Sequence, residues 1–200
     1  QVIIPGIEEE GQEILMSQNV IIVGGGGLGC PVALYCAAAG FGNIEIWDND
    51  LVELSNLNRQ IGHMFSNIGK SKSDSLTDQC KKINPSVNVS SKNKRFECFS
   101  DINNYDIIFD CSDNIGTRYF INEVAHKKKM ILVSGSATQL EGQIGIFKSW
   151  IDKFQPCYEC VFPKTVENHT NYNCREAGIL GSVTNLIASM QVTEAIRESL

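Results

Sequence analysis

A glycine-rich loop between an apolar strand and a helix of small residues constrains the fold most. It lies in the stretch VIIVGGGGLGCPVALYCAAAG. Gly24, Gly26 and Gly29 satisfy the pattern G-x-G-x-x-G, and Gly25 and Gly27 extend it. Glycine permits positive φ and lets backbone N–H groups approach a phosphate at the positive end of the following helix. The stretch therefore predicts a βαβ nucleotide-binding unit, although glycines required only for tight strand–helix packing would look the same.

An acid follows the second strand of this unit. Asn43–Trp47 is the predicted strand and Asp48 stands at its carboxyl end, where a carboxylate accepts hydrogen bonds from ribose hydroxyls. NAD, FAD and ATP all carry a ribose, so the loop and its acid leave the nucleotide open.

Length and charge limit the function classes. The 200 residues suit one globular domain over 1–200. A net charge of -6 argues against broad nucleic-acid binding, which requires basic surface. No apolar run approaches the ~20 residues that span a bilayer. With no signal peptide among the first residues, we expect no membrane association and a cytoplasmic protein.

Apolar periodicity beyond the loop predicts alternating strands and helices, and then a change of pattern. The alternation in Gln143–Lys148 is typical of an antiparallel, partly exposed strand. The predicted fold class is α/β: a Rossmann-like βαβ nucleotide-binding half, then a mixed sheet with antiparallel strands and a closing C-terminal helix. The other predicted elements are helices at 8–18, Leu28–Ala39, Ser71–Ile83, Arg118–Lys128 and Gly181–Leu200, strands at Asn19–Val23, Val87–Ser90, Asp106–Cys111 and Met130–Ser134, and a loop at Phe154–Asn173.

A polar run after the second strand favours a triphosphate. Asn56, Asn58, Arg59 and Gln60 fall within five positions, and Lys72 opens the next predicted helix. Arginine forks suit phosphate oxygens and lysine adds a point charge. A solvated loop with ordinary surface cations is the alternative.

The segment DCSDNIGTR follows a strand that should be buried on both faces. Asp113 then lies near the carboxyl end of that strand, where ligands bind in such sheets. A carboxylate facing a triphosphate suits Mg²⁺. In the alternative, Asp110 or Asp113 caps the helix that starts near Gly116.

Several motifs in order resemble one family. GGGGLG, DND, SNLNRQ, GKSK, DCSDN, EGQI, and CYEC followed by CREAG resemble the HesA/MoeB/ThiF group, the bacterial-type relatives of ubiquitin-activating enzymes. The resemblance runs from residue 1 to about 197. It implies an adenylyltransferase that uses ATP and Mg²⁺ to activate the C-terminal glycine of a small ubiquitin-like, β-grasp sulfur-carrier protein ending in Gly-Gly, in molybdopterin, thiamine or tRNA-thiolation pathways. It also implies a homodimer.

The resemblance also implies roles for individual residues. Gly27 would lie by the phosphates, Asp48 would hold the ribose, and Asp113 would bind Mg²⁺. Catalysis would involve Arg59, Lys72, Asp113 and Cys174. The full implied set of nucleotide contacts is Gly25, Gly27, Asp48, Asp50, Ser55, Asn56, Leu57, Asn58, Arg59, Gln60, Lys72, Asp113 and Asn114.

Two cysteine features remain to be explained. Cys157 and Cys160 form a C-x-x-C pair that can supply half of a Cys₄ zinc site, although a redox pair or two buried thiols would look alike. The resemblance implies Zn²⁺ with a second C-x-x-C, which the 200 residues do not contain. Cys174, on a crossover loop over 153–180, matches a cysteine that links covalently to the carrier in some members; it is otherwise an incidental thiol.

Two other functions remain open. An NAD- or FAD-dependent oxidoreductase can use the same βαβ unit, but that function does not explain why Arg59 and Lys72 occur together. A non-catalytic domain that only binds a partner is the other. The sequence does not contain the arginine motif that the family places before Gln1, and this favours the binding domain.

Overall fold

In the computed structural model, which describes residues 1–99, 102, 104–164 and 178–200, a central sheet organises the chain. Its strand order is β3-β2-β1-β4-β5-β6, in which every neighbouring pair is parallel except β5 and β6. The strands of the described residues are β1 Asn19–Val23, β2 Asn43–Trp47, β3 Asn88–Lys92, β4 Ile107–Asp110, β5 Ile131–Thr138 and β6 Glu141–Phe147.

Helices connect and cover these strands. The α-helices of the described ranges are α1 Glu8–Ser17, α2 Gly29–Ala39, α3 Lys72–Ile83, α4 Ile115–Lys128, α5 Tyr158–Val161 and α6 Gly181–Ser199. Short 3₁₀ turns at Leu54–Asn56 and Phe65–Asn67 lie between β2 and α3. None of the helices in the described ranges combines the length and apolar character that a membrane span requires.

The predicted fold class is confirmed, including the antiparallel strand at the sheet edge. The predicted element boundaries agree with the structure within two residues, except at two places. Helix α4 begins at Ile115 rather than at Arg118, and β5 extends to Thr138 rather than ending at Ser134. The predicted loop after Phe154 contains the single turn α5, which has Cys157 as its N-cap and includes Cys160.

Strand β1 is buried on both faces, and its side chains divide between two apolar layers. Val20 and Ile22 pack with the layer under α2, α3 and α6, whereas Ile21 and Val23 pack with the layer under α4. A parallel strand covered on both faces requires a continuous apolar run, which explains why β1 lacks alternation.

The turn from β1 into α2 depends on two glycines. Gly24 has φ +100, and a β-carbon there would lie 2.6 Å from the Cys111 carbonyl oxygen. A β-carbon at Gly29 would lie 1.7 Å from the Gly24 carbonyl oxygen. Larger residues are excluded at both positions, so the loop can fold tightly against the end of β4.

Candidate functional site

A cleft opens at the carboxyl ends of β1, β2 and β4. Its volume is about 820 Å³. Strand β1 lies between β2 and β4. Strands β2 and β3 are added on one side of β1, and β4, β5 and β6 are added on its other side, so the strand order changes direction at this point. This switch point is where open α/β sheets bind ligands. Of the predicted site residues, the cleft is lined by Asp48, Asp50, Lys72, Asp113 and Asn114, together with the motif glycines Gly24 and Gly26.

Asp48 is held by two backbone amides. Its Oδ2 accepts a hydrogen bond from Gly25 N at 2.7 Å, and its Oδ1 accepts one from Asp50 N at 2.7 Å. Burial raises the pKa of Asp48, and the two amide hydrogen bonds oppose that shift. The carboxylate therefore joins the glycine loop to the end of β2 and is fixed in the cleft wall.

Lys72 brings a positive charge to the same wall. It is the first residue of α3, and its side chain is buried. Its Nζ lies 3.0 Å from Asp50 Oδ2, and the Asp50 side chain is about half exposed. Because the ammonium is buried and its partner faces solvent, an anion in the cleft can share the lysine with Asp50.

The two acids of DCSDN have different environments. Asp110 is buried and accepts hydrogen bonds from Ser112, Ser134 and Arg118, the last at 3.2 Å. Asp113 is exposed and lines the cleft. A divalent cation in the cleft would therefore meet Asp113, since the oxygens of Asp110 are used within the protein.

The N-cap of α4 is neither of the two acids. Asn114 Oδ1 accepts a hydrogen bond from Thr117 N at 2.8 Å and caps α4. The alternative in which Asp110 or Asp113 caps this helix is therefore wrong. The acids are directed elsewhere, one into the sheet and the other towards the cleft.

Arg59 does not line the cleft. Its Nη1 donates to Ser55 O at 3.1 Å and to Asn58 Oδ1 at 3.0 Å, so the guanidinium lies over its own turn. Asn56 is also used locally, since its Oδ1 accepts from Glu53 N. Leu57 and Gln60 lie in this turn as well, outside the cleft lining, and the predicted contacts Gly25 and Gly27 are also outside it.

Gln60 connects the turn to the glycine loop. The residue is buried, and its Nε2 lies 3.6 Å from the position of a β-carbon at Gly26. Its Oε1 has no hydrogen-bond partner within the described part of the chain. A buried polar oxygen in this state usually meets a ligand or water when the site is filled.

The last helix begins beside these elements. A β-carbon at Gly27 would lie 3.2 Å from Thr184, and one at Gly181 would lie 2.7 Å from Asn58 O. The start of α6 thus packs on the glycine loop and on the Arg59 turn. The predicted crossover cysteine, Cys174, lies outside the described residues.

Several residues of this site were not predicted. Trp47 and Phe96 line the cleft and meet edge to face, with ring centroids 5.2 Å apart, and Phe120 packs on Phe96. His63 is buried behind the glycine loop. Each of these residues reaches the site through contacts between distant segments, which no local pattern in the sequence indicates. His63 alone stands close to the polar run that ends at Gln60.

The C-x-x-C pair lies against α4 and is not part of the cleft lining. Cys157 Sγ and Cys160 Sγ are 3.6 Å apart. Asn122 of α4 holds the pair, since its Oδ1 accepts from Tyr158 N at 2.9 Å and its Nδ2 donates to Cys157 Sγ at 3.5 Å. Among the described residues, no three metal-binding side chains form a group.

Partial burial opposes ionisation of Cys157, but hydrogen bonds from Asn122 and from Cys160 outweigh it and lower the pKa of the Cys157 thiol. A lowered pKa favours the thiolate form of Cys157, which suits either a metal or redox chemistry.

A protein-family model described as the ThiF family matches residues 1–199. Curated relatives include Adenylyltransferase and sulfurtransferase MOCS3 from Culex quinquefasciatus, 41% identical over 200 residues, and the protein of the same name from Dictyostelium discoideum, 42% identical. Both alignments cover 98% of this chain but only 45% and 46% of those relatives. The chain thus spans less than half the length of these relatives.

Solved structures show the same fold. The crystal structure of E. coli MccB with ATP matches with a TM-score of 0.80 and 21% identity, over 94% of this chain and 58% of that chain. The crystal structure of PaaA matches with a TM-score of 0.77 and 22% identity. At this level of identity the similarity describes the architecture.

Proposed function

This chain belongs to the ThiF family, and from that premise we propose that residues 1–200 form a single adenylation domain of an ATP-dependent adenylyltransferase. Its substrate is the C-terminal glycine carboxylate of a ubiquitin-like, β-grasp carrier protein ending in Gly-Gly. The carboxylate attacks the α-phosphate of ATP, pyrophosphate leaves, and an acyl-adenylate forms. The relatives are named for adenylyl transfer and sulfur transfer, in keeping with a sulfur-carrier substrate.

One observation carries the proposal: a single cleft brings together glycines of the loop, a buried lysine and several carboxylates, among them Asp48 and Asp113. Gly26, Asp48, Lys72 and Asp113 come from four separate segments and all line it. Amides and an ammonium suit phosphates, Asp48 suits a ribose, and Asp113 suits a cation bridging phosphates. Hydride transfer requires no such cation site.

The side chains at the cleft would have different roles. Lys72 would neutralise charge on the phosphates from the buried wall. Arg59 would turn from its own loop towards the phosphate oxygens as charge grows there in the transition state. Trp47 and Phe96 of the cleft lining are suited to the adenine, because a base can pack on an aromatic surface.

The residues present fit Mg²⁺. Magnesium is bound through one or two carboxylates and substrate phosphates, and Asp113 is an exposed carboxylate in the cleft lining. Bound there, the ion would neutralise charge on the phosphates. Asp113 would hold it, and Asp110 would keep the loop in place through Arg118.

The cysteine pair fits half of a Zn²⁺ site. Two thiolates on one tetrahedral zinc lie about 3.8 Å apart, given Zn–S bonds of about 2.3 Å. The 3.6 Å between Cys157 Sγ and Cys160 Sγ is close to that value. We propose these two cysteines as zinc ligands, and Cys174 as a nucleophile that can link covalently to the carrier.

The segment from β2 to α3 supports a homodimer. It exposes a run of large apolar side chains, each at least 41% accessible, at Leu51, Leu54, Ile61, Met64, Phe65 and Ile68. Contiguous exposed apolar surface marks an interaction site. We propose a second copy of the chain as its partner, and sedimentation velocity tests this. We also propose that the protein is located in the cytoplasm.

Pyrophosphate exchange tests the proposal. The protein is mixed with ATP, Mg²⁺, labelled pyrophosphate and a candidate carrier ending in Gly-Gly; a carrier without its last glycine is the control. Label should enter ATP only with the intact carrier. Exchange that fails with molybdopterin-, thiamine- and tRNA-thiolation-type carriers would contradict adenylation. Carrier binding without exchange would instead indicate a binding domain, and nicotinamide or flavin binding an oxidoreductase.

A further inference from the structure

A buried histidine lies behind the glycine loop, outside the cleft lining. His63 is 5% exposed. Its Nε2 lies 3.0 Å from the Gly25 carbonyl oxygen, and its Nδ1 lies 2.9 Å from Ser75 Oγ on α3. The ring thus bridges the glycine loop and α3. It does not reach the cleft, so it cannot exchange a proton with a nucleotide.

The two hydrogen bonds determine which ring nitrogen carries the proton. A carbonyl oxygen can only accept, so His63 Nε2 must donate to Gly25 O. In the neutral ring Nδ1 then accepts from the Ser75 hydroxyl. Burial lowers the pKa of His63, and the charge of Lys72 acts in the same direction, so the ring is neutral near pH 7.

Gly25 is held at both ends. Its N–H donates to Asp48 Oδ2 at 2.7 Å, and its carbonyl accepts from His63. The Cys30 thiol also lies 3.4 Å from the same oxygen. This anchoring matters because Gly24, Gly25, Gly26 and Gly27 have no β-carbon to restrict their dihedral angles.

The orientation of one carbonyl fixes the orientation of the next amide. In a planar trans peptide the C=O of one residue and the N–H of the next point in opposite directions. His63 draws the Gly25 carbonyl towards α3, away from the cleft. The N–H of Gly26 is then turned to the opposite side, where Gly26 lines the cleft.

We propose that His63 is a positioning residue for nucleotide binding: its Nε2–H fixes the Gly25–Gly26 peptide so that the Gly26 amide faces the phosphates. If this peptide flips, a carbonyl oxygen faces the phosphate instead of an N–H. The inference rests on the proposed use of ATP, and it concerns only the phosphate end of the nucleotide. The ribose is recognised by Asp48, which His63 does not touch.

Binding of ATP and of adenosine, both measured by calorimetry with Mg²⁺ present, tests this role. His63→Leu should weaken ATP binding by about tenfold or more and change adenosine binding by less than about twofold, because only the phosphates meet the loop. His63→Gln, which keeps an N–H donor, should retain ATP binding within about threefold. The matched control is His126→Leu, at an exposed histidine of α4.

The outcomes separate this role from others. Equal weakening of ATP and adenosine binding, or no weakening in a folded His63→Leu, overturns the positioning role alone. A wild-type protein that binds no ATP overturns both this role and the proposed function. If His63→Leu does not fold, ¹⁵N NMR of the wild-type ring decides, since a proton on Nδ1 instead of Nε2 contradicts the proposal.

Discussion

The inner wall of the cleft, formed by Asp48, Asp50 and Lys72 with His63 behind it, differs from what we call the rim, which is Asp113 in the lining and Arg59 outside it. In the inner wall the side chains are fixed by hydrogen bonds before any nucleotide is present. At the rim Arg59 lies over its own turn and Asp113 is exposed. We infer that the fold prepares nucleotide binding in advance, whereas the groups that accelerate the reaction are aimed when the substrates arrive.

The largest expected effect comes from the rim. Arg59→Ala should lower the rate of pyrophosphate exchange by about a thousandfold, because charge on the phosphate oxygens in the transition state loses its arginine. Since Arg59 does not line the cleft, ATP binding should weaken by less than about threefold, within the worth of one exposed charge pair. Exchange kinetics and ATP calorimetry check this split. Arg197→Ala, at an exposed arginine of α6, is the control.

The inner wall should give the opposite result. Lys72→Met should weaken ATP binding by about a hundredfold, because a buried ammonium is lost and Asp50 is left facing the phosphates. Lys70→Met removes an equal charge from an exposed position and should leave ATP binding unchanged. Calorimetry measures ATP binding by both variants. If both lose the same affinity, net charge explains the effect, and the buried position of Lys72 does not matter.

The two acids of DCSDN should separate stability from metal use. Asp113→Asn should raise the Mg²⁺ concentration for half-maximal exchange by about tenfold, with a smaller effect on the melting temperature than Asp110→Asn has. Asp110→Asn should instead lower the free energy of unfolding by about 3 kcal/mol, because Arg118 loses its buried partner. Exchange at graded Mg²⁺ and thermal unfolding measure the two effects. An unchanged Mg²⁺ requirement in Asp113→Asn would mean that other residues bind the cation.

The smallest effect is a pH dependence of the inner wall. The pKa of His63 is lowered in the folded chain, so below about pH 6.5 the unfolded chain takes up a proton that the folded chain excludes. Stability from this residue is therefore present above pH 6.5 and is lost as the pH falls towards its folded pKa. Between pH 7 and 5 the wild type should therefore lose more stability than His63→Gln. Parallel denaturation curves of the two proteins would contradict it.

Local patterns predicted the sheet well because each signal lay within one element. The apolar run of β1 and the alternation of β6 gave both strands and their directions. Asp48 and Lys72 were also found, since each stands directly at the end or the start of an element. The structure brings both of them to one cleft.

Long-range contacts and neighbouring polar residues explain what was missed. His63 acts on Gly25, 38 residues away, and no local pattern shows that pairing. Asp113 and Asn114 are adjacent and both can cap a helix, so only the backbone path decides which of them does. The orientation of Arg59 over its own turn likewise depends on geometry that spacing does not express.

The consecutive glycines of the loop are not interchangeable. At Gly24 and Gly29 a methyl group would collide with backbone, whereas at Gly26 the nearest heavy atom to a β-carbon is Gln60 Nε2, 3.6 Å away. An alanine at Gly26 therefore fits the protein but adds a methyl group to the lining of the cleft. Gly26→Ala is therefore a way to make a folded variant that does not bind the nucleotide. In such a variant the binding of a carrier could be studied apart from its activation.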